Sequence, residues 1–400
     1  AAGRGCRGRG RRVNAVRVFF YVQYLEGIGH LVRASRIVEA LLAQGASVTL
    51  VVGGERVGGM SLPACEIVEL PPLRASPESY SRLLRPDGKP VDANYEAERR
   101  DALLTAYERA SPDVLITEGY PMGRWAMEFE LGPLLERASA EPSRRPLILA
   151  SLRDILQVPK DTTKVQRSVD ICARHYDGLL VHGDRRLVRV EKSFPAITPF
   201  LERVHYTGLV APVAPPAPAA PSHEAFDVIV SGGGGAIAET VLRAAIAAKC
   251  ETELAGARWL ALAGPRMADP AFAALGEAAA QAGVELARYQ PDLADLMARA
   301  RLSIQRAGYN TVCDLLVAGC RAVLVPDGDH GQREQPLRAE RLAALGRAVM
   351  LDENRLDAPR MAAAVEAALA QDIAAVDLDL RGADVSARIV LELASRREPG

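Results

Sequence analysis

Short apolar runs alternate with amphipathic ones along most of the chain. Val16 to Val22 is apolar enough to be a buried strand, and Ser47 to Val52 is another. Between them, Leu31 to Gln44 has helical spacing, with Leu31, Ala34, Ile37, Val38 and Leu41 on one face. Further strands are predicted at Val114 to Thr117, Leu147 to Leu152 and Gly178 to Val181, with helices between them, as at Asn94 to Arg109. A proline-rich run, Ala211 to Ala225, then excludes both helix and central strand and reads as an extended spacer. After it the alternation restarts. Strands are predicted at Asp227 to Ser231, Trp259 to Ala263, Val284 to Ala287, Leu302 to Gln305, Ala322 to Val325 and Ala348 to Leu351, with helices between them. A last helix runs over roughly Asp384 to Ser395.

This order predicts an α/β protein of two Rossmann-like, doubly wound domains facing each other across a cleft. The expected boundaries are a Gly/Arg-rich tail over 1–12, a first domain over 13–210, the linker over 211–225, and a second domain over 226–382. The helix in 383–400 could cross back to the first domain. The tail has no apolar content to pack and reads as a disordered extension or an upstream start. A cationic arm touching RNA or anionic lipid is the other reading.

Bulk composition narrows the function. Lys plus Arg number 49 against 50 Asp plus Glu, so no basic excess argues for a nucleic-acid partner. The 6 cysteines form no CxxC pair and read as reduced thiols of a cytoplasmic protein. No apolar run reaches membrane-spanning length. Docking to a membrane surface is left open, since no strong basic amphipathic face argues for it.

Three loops at predicted strand ends carry candidate chemistry. In SGGGGAIAET, the glycines Gly232, Gly233 and Gly234 let backbone N–H groups approach an anion at a helix start, more than one tight turn requires. The loop is neither GxGxxG with a suitably placed acid nor a P-loop, so ordinary dinucleotide or ATP binding is disfavoured. In QRAGYNTVCDLLVAGC, a strand ends at Arg306, and a helix is expected to begin near Thr311 with Asn310 or Thr311 as its cap. Asp314 is then expected in the first turn, where it reads by itself as an acid favoured by the helix dipole. In DGDHGQREQPLRAERLAALG, Glu334 and Gln335 open a helix with Pro336 just inside it. Such a pair can hydrogen-bond sugar hydroxyls or simply supply N-terminal charge.

Together, "RAGYNTVCD", "AGCRAVLVP" and "REQPLRAERLAALG" resemble the donor-binding half of GT-B glycosyltransferases of family 28, which include the UDP-GlcNAc transferase of lipid II synthesis. "SPDVLITEGYPMGRWAMEFELGPLL", "SLRDIL" and "YDGLLVHGD" are similar to a group of bacterial predicted family-28-like glycosyltransferases. The resemblance implies that the first domain binds an acceptor and the second a nucleotide-sugar donor. It places the phosphate loop on Arg306, Gly308, Tyr309, Asn310 and Thr311, and the ribose carboxylate on Asp314, where the family usually has the longer Glu. The paired sugar-contacting amides fall on Glu334 and Gln335, of which only Gln335 keeps the amide. The resemblance further implies that backbone at Tyr289 and Gln290 holds uracil, that the glycine loop takes a second phosphate face, and that Arg266 neutralises phosphate charge.

Family members also present a Gly-rich loop ending in His from the first domain, and Gly27-Ile-Gly29-His30 matches that shape. An inverting transfer needs a base for the acceptor hydroxyl, and histidine titrates near neutral pH. His30 is therefore the expected base. Glu118 is a candidate to orient it or to bind acceptor, as are Arg124 and the Arg153-Asp154 pair, while His182 reads as a satisfied strand-end residue. No DxD metal motif is evident, so no metal or other cofactor is expected beyond the UDP-sugar, plausible as UDP-GlcNAc or another UDP-hexose. The acceptor, a small molecule, lipid or glycan, has no signature in the chain. Two other readings stand beside this one: a UDP-GlcNAc 2-epimerase-like enzyme, and a non-catalytic nucleotide-sugar-binding subunit.

Overall fold

The computed structural model describes residues 15–25, 27–57, 60–76, 79–213, 225–233, 238–264, 267–290, 293–327 and 333–397, with backbone only at 79–81 and 238. The expected tail over 1–12, most of the linker, Gly234 and Arg266 lie outside the described residues.

The first sheet comprises β1 (Arg17–Val22), β2 (Ser47–Gly54), β3 (Glu66–Ser76), β4 (Ser79–Leu84), β5 (Val114–Glu118), β6 (Leu147–Arg153), β7 (Gly178–His182) and β8 (Val204–Tyr206). Their order is β4-β3-β2-β1-β5-β6-β7-β8, parallel throughout except for the antiparallel β3–β4 pair. The helices of this half are α1 (Gly29–Ala43), α2 (Ala93–Ala110), α3 (Glu128–Ser139), α4 (Thr162–His175) and α5 (Val190–Ser193). The second sheet comprises β9 (Val228–Ser231), β10 (Trp259–Leu262), β11 (Val284–Ala287), β12 (Leu302–Gln305), β13 (Arg321–Leu324) and β14 (Val349–Met350), all parallel in the order β11-β10-β9-β12-β13-β14. Its helices are α6 (Ala238–Ala248), α7 (Asp269–Gln281), α8 (Leu293–Arg299), α9 (Tyr309–Ala318), α10 (Glu334–Ala344) and α11 (Ala358–Ala370). The final helix, α12 (Gly382–Ser395), packs on α1, and its Ala387 and Val390 are buried in the first domain's core.

The central strands are buried on both faces, which explains their near-continuous apolar runs. Strands β3, β4 and β8 were not expected. Pro71 and Pro72 break the strand pattern of β3. They sit where its register to β2 shifts, between Val52↔Glu69 and Gly54↔Leu73, so the missing N–H groups fall in a bulge.

Each sheet has one point where the winding reverses. In the first sheet it lies between β1 and β5, and in the second between β9 and β12. Crevices at such reversals, beyond the carboxyl ends of the strands, are where ligands bind in this architecture. The loop into His30, Glu118, the Ser231–Gly233 turn and the Arg306–Gly308 turn all leave these four strands. Among the described residues, no helix is long and apolar enough to cross a membrane.

Candidate active site

At the first reversal, His30 is the second residue of α1. Its Nδ1 lies 3.0 Å from Oε1 of Glu118, the last residue of β5. Glu118 is wholly buried, which opposes its ionisation. The neighbouring Arg33 guanidinium and the hydrogen bond from His30 outweigh that penalty and hold its carboxyl far below the usual range. Arg33, one turn after His30, donates to Oε1, and the Ser151 hydroxyl from β6 donates to Oε2. Arg33 Nη2 also lies 3.2 Å from His30 Nδ1, but the carboxylate is closer, at 3.0 Å, and can only accept, so the proton of His30 is assigned to Nδ1 and Nε2 is left bare. Burial, with Arg124 and Arg33 adding to it against the Glu118 bond, pushes His30 down to about 3. The imidazole is therefore neutral across the physiological range and, contrary to the expectation from sequence, does not titrate near neutral pH.

Two backbone positions shape this pocket. Gly119 has φ +80°, and a Cβ there would come within 3.1 Å of Arg124 Cγ. A Cβ on Gly29 would come within 3.1 Å of Asn310 Nδ2, and that amide donates to the Gly29 carbonyl at 3.2 Å. Arg124 itself is left-handed, with φ 59°, and its Nε is buried with no hydrogen-bond partner among the described residues. Burial, together with nearby Arg153, lowers its pKa to about 10. A Cβ on Gly27 would meet nothing within 4 Å.

The second domain presents α9. Its N-cap is Gly308, not Asn310 or Thr311, because the backbone of Gly308 is extended and the helix starts one residue later, at Tyr309. Asp314 accordingly falls in the second turn rather than the first. With no side-chain cap, the first amides of α9 retain hydrogen-bonding capacity and the positive end of the helix dipole. A cavity of about 220 Å³ lies between the domains. Gly29, His30, Arg33 and Arg153 line it from one side, and Gly308, Tyr309, Asn310 and Thr311 from the other.

Ion pairs close the cleft around this cavity. Arg36 of α1 lies 3.6 Å from Asp314, whose carboxyl is pushed up by burial against the pull of Arg36. Arg153 reaches Glu334 at 2.5 Å. Burial disfavours the charge on Glu334, but Arg153 and Arg338 keep its pKa low. Arg338 also grips Asp154 through two hydrogen bonds, of 2.9 and 2.7 Å, and donates to the Ala307 carbonyl at 2.7 Å. Tyr309 is wedged between Arg33 and Arg338, 5.0 and 5.7 Å from its ring centre. Its hydroxyl donates to the His182 carbonyl at 2.8 Å and accepts from Val210 N–H at 2.9 Å.

Other expected donor residues sit further out. Arg306 donates to the Val325 carbonyl at 3.3 Å and pairs with Glu353. Gln335 accepts from the Asp327 amide at 3.2 Å. Gly232 is buried at the end of β9, and Gly233 has φ +82°. Tyr289, which is 68% exposed, and Gln290 follow the edge strand β11. Among the described residues, no three His, Cys, Asp or Glu side chains cluster as a metal ion would need, and the five described cysteines are unpaired.

Sequence reasoning did not single out Arg33, Arg36, Ser151 or Arg338. Two signals were present. Ser151 is the one hydroxyl in the apolar run Leu147–Leu152, and Arg33 stands at i+3 from His30, hence on its side of the helix.

Residues 227–375 match the Glycosyltransferase family 28 C-terminal domain. A stretch of 78 residues is 36% identical to the UDP-N-acetylglucosamine–N-acetylmuramyl-(pentapeptide) pyrophosphoryl-undecaprenol N-acetylglucosamine transferase of Bartonella henselae, covering 20% of this chain and 21% of that protein. The chain thus spans about a fifth of that relative's length. Whole-chain similarity is structural. The calicheamicin glycosyltransferase CalG4 superimposes with a TM-score of 0.57 at 16% identity, over 95% of both chains. MurG of Acinetobacter baumannii does so with a TM-score of 0.55 at 14% identity, over 96% of both. The chain is therefore a GT-B-fold protein whose second domain is a glycosyltransferase family 28 C-terminal domain.

Proposed function

We propose that the protein is an inverting glycosyltransferase that moves a sugar from a UDP-sugar to a hydroxyl of its acceptor. One observation carries this reading. A neutral imidazole, tied through Nδ1 to a buried ionised carboxylate, lines the same cavity as the uncapped start of α9 in a family 28 domain. His30 Nε2 takes the acceptor proton as the hydroxyl oxygen attacks the anomeric carbon. The bond from that carbon to the leaving phosphate oxygen breaks, and the electron pair leaves with the nucleoside diphosphate. Its charge is met by the α9 amides and helix dipole, with no metal assigned a role. Arg124 and Arg153 are assigned to the acceptor side, and Asp314 to the ribose.

The donor is assigned as UDP-GlcNAc or a related UDP-hexose, supported by the similarity of part of the chain to a UDP-N-acetylglucosamine-dependent transferase. The cavity of about 220 Å³ is smaller than the roughly 300–1,000 Å³ of ordinary ligand sites. Asp314, Tyr289 and Gln290 do not line it, so it holds only part of the donor. Thermal unfolding with UDP, GDP, dTDP and ADP tests the donor assignment. UDP at a concentration of about 100 times its Kd should stabilise the fold by about 2.7 kcal/mol. No shift with UDP, beside a transferase that responds, contradicts it.

A further inference from the structure

His182 closes β7 and is wholly excluded from water. It is bonded at both ring nitrogens: Nε2 lies 2.8 Å from Ser151 Oγ, and Nδ1 lies 3.0 Å from Thr207 Oγ1 and 3.3 Å from Ser386 Oγ on α12. The proton directions around Ser151 follow from its single proton. The single proton of Ser151 goes to ionised Glu118, so the Ser151 oxygen must accept, and His182 donates to it from Nε2. His182 Nδ1 then faces the hydroxyls of Thr207 and Ser386, which also donate to the Gly208 and Gly382 carbonyls. Donors thus run from His182 to Ser151 to Glu118, and end on the oxygen of Glu118 that His30 does not use.

We propose that His182 and Ser151 form a positioning chain that fixes Glu118 and thereby keeps the proton of His30 on Nδ1 and its Nε2 free to act. The proposal rests on the reading of His30 as the base. Polar groups set into apolar strands cost free energy that an apolar side chain at the same place would avoid. Two of them, Ser151 in β6 and His182 in β7, are lined up here, and their one charged terminus is the partner of the reacting imidazole. The second domain docks on the same residue, because Tyr309 bonds the His182 carbonyl. The charged groups facing the dyad are Arg33 from α1, Arg124 beyond β5, and Glu334 from α10 across the cleft; Arg153 at the end of β6 faces Arg124. His182 itself faces Arg33 and Glu118, and its burial together with Arg33 lowers it to about 3.

The test uses the full chain, with UDP release from UDP-GlcNAc as the rate and UDP binding as the control. Ser151→Ala and His182→Leu should each lower kcat by about 10-fold, with the Kd for UDP unchanged. Removing a donor leaves more negative charge on Glu118 and so raises the pKa of His30. The acid limb of kcat/KM should therefore move to higher pH by about half a unit or more. His182→Gln, which returns an N–H near the Nε2 position, should recover most of the rate and the wild-type profile. Equal losses in Leu and Gln variants, or an unmoved acid limb, would reduce the chain to scaffold and overturn the proposal. Should His182→Leu fail to fold, Ser151→Ala, which removes a single oxygen, decides alone. If His30→Ala abolishes turnover while the Ser151 and His182 variants match wild type, only the positioning chain fails. If His30→Ala is itself silent, the base assignment fails with it.

Discussion

Arg338 of the second domain and Asp154 of the first form a two-pronged ion pair across the domain boundary, with both side chains sealed from water. Arg338 also pairs with Glu334 at 2.8 Å, so it is loss of Arg338 that strands a charge, the Asp154 carboxylate, in a low-dielectric site. Arg338→Ala should therefore cost about 3–5 kcal/mol, read as a lower midpoint in urea unfolding. The exposed pair Arg56–Glu69 is the control, and breaking it should cost less than about 1 kcal/mol.

Glu118→Gln keeps shape and volume but replaces one acceptor oxygen with an NH2. Arg33 and His30 both donate to Oε1 and Ser151 to Oε2, so one side of the amide must meet a donor head-on. The tautomer of His30 is then no longer fixed, and kcat should fall by about 10²-fold or more while UDP binds normally. Steady-state UDP release and calorimetric titration separate the two effects.

Stability should also fall with acid, and the sign follows from two histidines of the site, half-buried His30 and buried His182. His30 and His182 are each lowered to about 3, against roughly 6.5 in the unfolded chain. The unfolded state takes up these protons first, so their contribution is intact above pH 6.5 and is lost as pH falls from there towards 3. Each histidine adds a slope of at most about 1.4 kcal/mol per pH unit. Glu118, also depressed, adds to the loss at lower pH, where the unfolded carboxyl begins to protonate. Urea midpoints measured from pH 7 to 4.5 check this, and His182→Gln should flatten the curve.

The strands that carry the site were legible because parallel strands buried on both faces must be apolar throughout. β5, β6 and β7 read directly as such runs. The ends of those strands, and hence His30 and Glu118, followed from the rule that ligands gather there. The ion pairs that close the cleft were not legible. Arg33 and Arg338 stand in amphipathic helices, where an arginine ordinarily faces water, and their partners Glu118 and Asp154 lie 85 and 184 residues away. No local pattern encodes such pairings. The wedge role of Tyr309 was hidden for the same reason, since its ring packs on arginines from both domains.

Asp314 tests the donor side. If its carboxylate takes the ribose hydroxyls, Asp314→Ala should weaken UDP binding by about 10- to 100-fold, the worth of a hydrogen bond to a charged group. Arg36→Ala, which frees Asp314 from its 3.6 Å partner, should leave UDP binding equal or tighter. Calorimetric titration of both variants reads the two outcomes.

The role of His30 is tested by one comparison: UDP release from UDP-GlcNAc, and UDP affinity, in wild type and His30→Ala. The expected result is a rate lower by about 10²-fold or more with Kd for UDP unchanged. Equal rates in the two proteins, with UDP bound equally by both, would contradict the assignment of the imidazole as the base.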